Sequence, residues 1–140
     1  MLVENPRQIG PLAKKIIEIA GDHTMWLFKG DMGAGKTTLI QAICKVKGVI
    51  DQVTSPTYTL IHEYLDLQGK IYYHFDFYRL NQLREAQDIG CGEYFYSGNI
   101  CFIEWPDLIE PMLPQKFLTI EIQVTEDDKR LIKITRNDQD

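Results

Sequence analysis

Residues 30–38 read GDMGAGKTT and match the phosphate-binding pattern G-x-x-x-x-G-K-[ST]. This phosphate loop follows a short apolar segment, TMWLFK (24–29), and leads into KTTLIQAICKVK (36–47), whose apolar residues recur at helical spacing. A strand, a glycine-rich turn and a helix in this order surround a phosphate with backbone N–H groups at a helix N-terminus. The stretch therefore predicts a nucleoside-triphosphate site in an α/β fold.

The residue types within the loop assign its chemistry. The Lys36 ammonium is expected to bridge the β- and γ-phosphates as a catalytic group, and the Thr37 hydroxyl to ligate Mg²⁺. The other expected phosphate contacts are Asp31, Met32, Gly33, Ala34, Gly35 and Thr38. GTPases usually read guanine with a late N-K-x-D loop, which this sequence lacks. We therefore expect ATP as the nucleotide, with Mg²⁺.

The segments on either side of the loop predict the rest of the fold. A helical pattern precedes it and ends at Gly21, and turn-rich or helical sequence covers about 81–96. Strand patterns occur at 58–66, 70–80, 100–104, 116–124 and 130–136, with short turns between the first two and the last two. Hairpins beside a phosphate loop predict an α/β, P-loop NTPase-like three-layer fold with a mixed parallel and antiparallel sheet. We expect one domain over residues 1–140.

Two carboxylates stand where a phosphate loop requires a further acid. Asp76 and Glu104 each end an apolar strand pattern, and open α/β sheets bind their ligands at the carboxyl ends of strands. Buried carboxylates are costly unless they are paired or bind a metal. Both are candidate catalytic acids, and the sequence does not divide metal binding from water positioning between them. His74 shares a strand face with Asp76 and could pair with it, although a structural role is favoured.

The polar segment TSPT (54–57), called the TSPT loop below, lies between the predicted loop helix and the next strand. Nucleotide switches place a threonine that senses the γ-phosphate in this position. Thr57 is the preferred candidate, and Thr54 and Ser55 are its rivals. The alternative is an ordinary proline turn whose hydroxyls bond to its own backbone.

Composition argues against several classes of protein. The net charge of −5 provides no basic field for nucleic acid. The three cysteines are an odd number and widely spaced, which argues against a disulfide framework and a zinc site and suits a reducing cytoplasm. No apolar run reaches the length of a membrane span, and the first ten residues lack an export-signal pattern. We expect a cytoplasmic protein without membrane contact.

Four motifs occur together in a characteristic order: GDMGAGKTT (30–38), VTSPTYTLIHEY (53–64), HFDFYRL (74–80) and FIEWPD (102–107). Together they resemble the TsaE (YjeE) family, small P-loop ATPases of bacterial threonylcarbamoyladenosine tRNA modification. The likeness covers nearly the whole chain, and the last three motifs are more specific to that family than the phosphate loop. Met32 stands where leucine is expected, an exchange that should matter little.

The resemblance implies an auxiliary ATPase that works with two larger proteins, TsaD and TsaB. That assembly transfers a threonylcarbamoyl group from its adenylate onto the adenosine next to the tRNA anticodon. The family member is expected to bind and hydrolyse ATP, to reset the complex between turnovers, and to meet tRNA only indirectly through its partners.

The resemblance also assigns residues by matching position. Thr37 and Glu104 are implied Mg²⁺ ligands, and Asp76 is an implied catalytic acid beside the γ-phosphate. The remaining implied nucleotide contacts are Trp105, Asp107 and, enclosing the adenosine, Arg130.

Two other functions share some of these features. A small-molecule or nucleoside kinase has a phosphate loop and a similar size, but usually adds an arginine-rich lid, and the five arginines here form no such cluster. A nucleotide-dependent binding module without hydrolysis would differ from an ATPase in single-turnover hydrolysis within the assembled complex.

Overall fold

The computed structural model describes residues 1–138. The strands are β1 Leu2–Val3, β2 Met25–Lys29, β3 Ile61–Leu65, β4 Ile71–Asp76, β5 Ile100–Glu104, β6 Phe117–Val124 and β7 Arg130–Asn137. The α-helices are α1 Ile9–Ala20, α2 Lys36–Lys47, α3 Leu83–Asp88 and α4 Cys91–Phe95, and 3-10 helices cover Pro6–Gln8 and Asp107–Met112.

In residues 1–138 the strands form one seven-stranded sheet in the order β1-β7-β6-β2-β5-β4-β3. The four central strands β6, β2, β5 and β4 are parallel, and β7 and β3 flank them in antiparallel pairs. The predicted mixed sheet is confirmed. Its register sets Asp76 of β4 beside Glu104 of β5, and Phe28 of β2 on the other side of Glu104. The two candidate acids therefore end neighbouring strands at the same edge.

Alternate residues of each central strand face opposite helix layers, as the two-residue period of a strand requires. Trp26 and Phe28 of β2 belong to a core that includes α1 and α2, whereas Leu27 belongs to a core with α3, α4 and the second 3-10 helix. The sheet is thus covered on both faces, and the predicted three-layer α/β fold is confirmed. The single domain over 1–140 stays a prediction, and its last two residues lie outside the described part.

Helix α2 begins and ends at glycines with left-handed backbones, Gly35 (φ 105°) and Gly48 (φ 83°). Gly30 is required for a different reason, because a Cβ there would lie 2.8 Å from the carbonyl oxygen of Ile122. The phosphate loop can therefore pack against β6 only with glycine at this position. No helix within residues 1–138 combines the length and apolarity needed to span a membrane.

The sequence patterns predict no element before the first helix, but Leu2–Val3 form a strand and Pro6–Gln8 form a 3-10 helix. Leu2 and Val3 pair with β7, and Asn5 caps the short 3-10 helix that follows. A two-residue strand has no periodicity to detect, which explains why it was missed. The pairing brings the N-terminal segment beside the phosphate loop.

Phe102 is a core side chain whose truncation should strongly disturb the packing. It is fully buried, and its ring lies 5.4 Å from that of Trp26, 6.1 Å from Phe28 and 6.2 Å from Tyr72. We expect Phe102→Ala to lower the free energy of unfolding by about 3–5 kcal/mol in urea denaturation. Tyr96→Ala, at a position 69% exposed, is the control and should change it by less than about 0.5 kcal/mol. Equal stability of the two variants would contradict the packing described.

Candidate nucleotide site

A crevice of about 250 Å³, called the phosphate crevice below, lies between the phosphate loop, the TSPT loop and the carboxyl ends of β4 and β5. It brings together segments that are distant in the chain. Its lining residues are Met32, Gly33, Gly35, Lys36, Thr37, Thr38, Ser55, Thr57, Asp76, Tyr78, Glu104 and Trp105. Most residues proposed from the sequence for phosphate and metal binding thus border one space.

Thr37 and Glu104 form a compact oxygen cluster in this crevice. The Thr37 hydroxyl lies 3.0 Å from Glu104 Oε1 and 2.9 Å from Oε2, and the Glu104 side chain is buried. Mg²⁺ prefers oxygen ligands and usually binds one or two carboxylates together with substrate phosphates. Within residues 1–138 no group of three or more His, Cys, Asp or Glu could hold a metal by itself. These donors therefore fit Mg²⁺ shared with phosphates.

Asp76 is held by the TSPT loop. Its Oδ2 accepts hydrogen bonds from Thr57 Oγ1 at 3.0 Å and from Ser55 Oγ at 3.2 Å, and these two hydroxyls lie 2.7 Å apart. Its Oδ1 accepts the backbone N–H of Tyr78 at 2.9 Å. Thr54 instead presents its backbone carbonyl to Tyr64. Thr57 and its rival Ser55 are therefore both connected to the buried acid.

Lys36 is buried, and its ammonium donates to the carbonyl of Gly30 and lies 3.4 Å from the centre of the Trp105 ring. Burial lowers the pKa of the Lys36 ammonium, and the negative charges of Glu104 and Asp76 oppose that change. Neither of the two contacting groups is a carboxylate. A phosphate oxygen can therefore replace either contact without leaving a buried anion unpaired.

Trp105 has a left-handed backbone with φ 57°, a conformation that costs a non-glycine residue on the order of 1–3 kcal/mol. Strand β5 ends just before Trp105, and the turn brings the Trp105 ring over Lys36 and within 4.9 Å of the Tyr78 ring.

Asp107, which was expected to contact the nucleotide, lies away from the phosphate crevice. It is exposed, does not line the crevice, and its carboxylate lies 3.6 Å from Lys29 Nζ. Its nucleotide contact stays a prediction.

A groove of about 420 Å³, called the larger groove below, adjoins the crevice and shares Gly33, Gly35 and Thr38 with it. The N-terminal segment, the phosphate loop and the last hairpin line it. Its further lining residues are Val3, Glu4, Asn5, Pro6, Ile9, Leu12, Ala34, Leu39, Ile122, Asp128, Arg130 and Ile132. Arg130 Nε donates to the carbonyl of Ala34 at 3.0 Å, which attaches the hairpin to the loop. The N-terminal residues had no recognisable signal in the sequence.

Two other residues singled out from the sequence have different surroundings. Asp31 is exposed and lines neither the crevice nor the larger groove, but its carbonyl accepts the Ala34 N–H at 3.0 Å and closes the loop. The suggested pairing of His74 with Asp76 is wrong, because His74 Nε2 lies 2.7 Å from Glu104 Oε2. The register places Glu104 diagonally across from His74 on the same sheet face, and the Asp76 carboxylate is bonded to the TSPT loop instead.

Sequence comparison identifies the family to which this arrangement belongs. The family model described as threonylcarbamoyl adenosine biosynthesis protein TsaE matches residues 3–132. The chain belongs to the TsaE family. The matched range contains every residue of the phosphate crevice, and it confirms the resemblance drawn from the four motifs.

Three relatives carry the name tRNA threonylcarbamoyladenosine biosynthesis protein TsaE. The protein of Bacillus subtilis strain 168 is 39% identical over 131 residues, covering 94% of this chain and 81% of the relative. That of Haemophilus influenzae is 39% identical over 107 residues, covering 76% and 67%. That of Treponema pallidum strain Nichols is 35% identical over 126 residues, covering 89% of each.

A solved structure supports the same conclusion for the fold. The crystal structure of Bacillus subtilis YdiB superimposes with a TM-score of 0.78 at 33% sequence identity. The match covers 98% of this chain and 84% of the YdiB chain. The α/β fold shared with YdiB therefore extends over nearly the whole chain.

Proposed function

We propose that this TsaE-family protein binds MgATP and hydrolyses it as an accessory to threonylcarbamoyladenosine modification of tRNA, together with TsaD and TsaB. The observation that carries the proposal is the cluster of Thr37 and Glu104, with both carboxylate oxygens within 3.0 Å of the hydroxyl, at the start of the phosphate-loop helix. A phosphate-loop ATPase needs a hydroxyl and a strand-end acid in this relation to bind its metal.

The residues of the chain have distinct roles in this proposal. Backbone N–H groups of the phosphate loop surround the phosphates at the N-terminus of α2, and Lys36 exchanges its Gly30 contact for phosphate oxygens. Thr37 and Glu104 are the residues that would hold Mg²⁺. When bound, Mg²⁺ supplies positive charge against the β- and γ-phosphate oxygens.

Asp76 is proposed to orient the water that attacks the γ-phosphate. Its carboxylate already accepts two hydroxyl hydrogen bonds from the TSPT loop, so its position depends on that loop. Thr57 is proposed to sense the γ-phosphate, as switch threonines do. Loss of the γ-phosphate would then release Thr57 and change the support of Asp76, which gives the protein two nucleotide-dependent states.

The larger groove supports a site for the adenosine. It adjoins the phosphate crevice at Gly33, Gly35 and Thr38, and its volume of about 420 Å³ lies in the range of ligand pockets. Apolar side chains from α1, α2 and β7 line it, and Arg130 borders it from the last hairpin. A nucleotide whose phosphates occupy the crevice can therefore extend its base into this groove.

Arg130→Ala should weaken ATP binding because it removes a groove wall and the hydrogen bond from the hairpin to the Ala34 carbonyl. We expect the Kd for ATP, measured by titration calorimetry, to rise about tenfold, which corresponds to about 1.4 kcal/mol. Arg136→Ala is the matched control, since Arg136 lies on the same strand, donates to the Ile19 carbonyl and does not line the groove. An unchanged Kd for Arg130→Ala would contradict an adenosine site here.

The accessory role is supported by the family and by the charge of the chain. The relatives are named for tRNA threonylcarbamoyladenosine biosynthesis, and a net charge of −5 suits a protein whose partners make the tRNA contacts. The role proposed is to reset the TsaD and TsaB complex between turnovers. We also propose that the protein acts in the cytoplasm.

Phosphate release from ATP tests this function. The chain alone is expected to release inorganic phosphate slowly and to do so faster once TsaD and TsaB are added, because partners of such ATPases can supply stabilising groups. Binding of ATP without any phosphate release in the assembled complex would contradict hydrolysis and favour a binding module. Consumption of ATP that yields a phosphorylated small molecule would instead indicate a kinase.

A further inference from the structure

His74 is a buried titratable residue to which the proposed function gives no role. It is 0% exposed, and both ring nitrogens have a partner. Nε2 lies 2.7 Å from Glu104 Oε2, and Nδ1 lies 2.9 Å from the hydroxyl of Tyr64 on the neighbouring strand β3. The ring is therefore held at both ends, with one end on the carboxylate assigned to the metal.

Tyr64 continues this contact to the TSPT loop. Its hydroxyl lies 3.1 Å from the carbonyl oxygen of Thr54, and the residue is 2% exposed. Burial raises the pKa of the Tyr64 hydroxyl, so the group keeps its proton at neutral pH. A continuous path of side chains thus connects the backbone of Thr54 to Glu104 through Tyr64 and His74.

The number of available protons limits which hydrogen bonds of this path can form at the same time. The Glu104 carboxylate can only accept a hydrogen bond. The hydrogen bond between His74 and Glu104 therefore requires a proton on His74 Nε2. In the neutral ring with this tautomer, Nδ1 is an acceptor. The single proton of the Tyr64 hydroxyl then has competing acceptors, which are Nδ1 of His74 at 2.9 Å, the carbonyl of Thr54 at 3.1 Å and Nδ1 of His62 at 3.4 Å. His62 Nδ1 also lies 3.2 Å from the Thr54 carbonyl, so it belongs to the same end of the path.

We propose that His74 is a positioning residue for Glu104 and that Tyr64 couples this position to the conformation of the TSPT loop. The inference rests on the proposed function, because it assigns Glu104 to Mg²⁺. When the loop withdraws the Thr54 carbonyl, the Tyr64 hydroxyl donates to Nδ1 and holds the ring in the orientation from which Nε2 donates to Glu104. The state of the loop is thereby transmitted to the orientation of the metal-binding carboxylate.

The first test measures the Mg²⁺ concentration that gives half-maximal ATP hydrolysis in the presence of TsaD and TsaB. His74→Phe keeps a ring but removes both nitrogens, and should raise this concentration about 10–100-fold, as loss of groups that orient metal ligands does. His74→Gln has an amide that can donate to Glu104 and should recover most of the wild-type value. ATP binding without Mg²⁺ should stay within about twofold of wild type in both variants.

The matched control is His23→Phe, which removes another buried histidine, one that lies 2.7 Å from Asp138 and not at the crevice. It should leave the half-maximal Mg²⁺ concentration unchanged. A purely structural His74 would make His74→Phe and His74→Gln lose stability with wild-type Mg²⁺ dependence, and that result would overturn the proposal. If wild type itself hydrolyses no ATP, the proposed function fails instead, which separates the two outcomes.

Tyr64→Phe tests the coupling separately, because it removes one hydroxyl and keeps the buried ring. In ¹⁵N NMR of the metal-free protein, the wild-type His74 ring should show a proton on Nε2 and a hydrogen-bonded acceptor at Nδ1. Tyr64→Phe should shift the Nδ1 signal and leave Nε2 protonated. The half-maximal Mg²⁺ concentration should rise about threefold to tenfold. An unchanged Nδ1 signal with unchanged Mg²⁺ dependence would overturn the coupling.

Discussion

Replacement of Lys36 by alanine is expected to lower the rate of ATP hydrolysis by about 100-fold or more. The ammonium is the positive charge that lies against the β- and γ-phosphates in phosphate-loop enzymes, and removal of one group that stabilises transition-state charge typically costs this much. In this protein Lys36 contacts a carbonyl and an aromatic ring, so its loss leaves no buried carboxylate without a direct partner. The variant should therefore fold, and the rate is measured as release of inorganic phosphate.

Lys45→Ala provides the matched control for Lys36→Ala. Lys45 lies near the C-terminal end of the same helix, is exposed and does not line the crevice. It should retain the wild-type rate within about twofold, since exposed charges far from the reacting groups contribute little. If Lys36→Ala hydrolyses ATP as fast as Lys45→Ala, the phosphate loop is not the site of hydrolysis.

Glu104→Gln should cause a loss of similar size through the metal. Glutamine keeps the volume and can still accept from the Thr37 hydroxyl, but it removes the negative charge that suits Mg²⁺. We expect kcat to fall about 100-fold to 1,000-fold and the required Mg²⁺ concentration to rise. Asp76→Asn should lower kcat without changing the Mg²⁺ requirement. The Asp76 carboxylate is held by hydroxyls of the TSPT loop, and its proposed role is to orient the attacking water and not to bind the metal.

The control for Glu104→Gln is Glu110→Gln, at a half-exposed side chain 3.2 Å from Lys29 Nζ and outside the crevice. It should leave both kcat and the Mg²⁺ requirement near wild type. The same Mg²⁺ requirement in wild type and Glu104→Gln would be inconsistent with Glu104 as a ligand. A raised Mg²⁺ requirement in Asp76→Asn would indicate that Asp76 binds the metal, and the roles assigned to Asp76 and Glu104 would have to be exchanged.

The sequence was sufficient for strands β2 to β7 and for the meeting of the two acids. Asp76 and Glu104 both end apolar segments, and parallel neighbouring strands bring their carboxyl ends to one edge of the sheet. The glycine pattern of the phosphate loop likewise implies the helix start that brings Thr37 to Glu104. These features follow from local patterns combined with one topological rule.

Other parts of the site depend on register and long-range packing, which local patterns do not contain. The partner of His74 is Glu104 on the next strand and not Asp76 on its own strand, and only the strand register reveals this. Pairing of Leu2 and Val3 with β7 brings the N-terminus beside the larger groove across the length of the chain. Asp107 is exposed and lies just after the left-handed turn at Trp105. No sequence periodicity predicts that turn.

The most direct test of the proposed role is the number of threonylcarbamoyladenosine residues formed per complex with TsaD, TsaB, tRNA, the threonylcarbamoyl adenylate and ATP. If ATP hydrolysis in the phosphate crevice resets the complex, the wild-type chain should support many turnovers. Lys36→Ala should stop after about one, because the reset depends on the γ-phosphate contact. Sustained turnover with Lys36→Ala, equal to that with the wild-type chain, would contradict the proposed role.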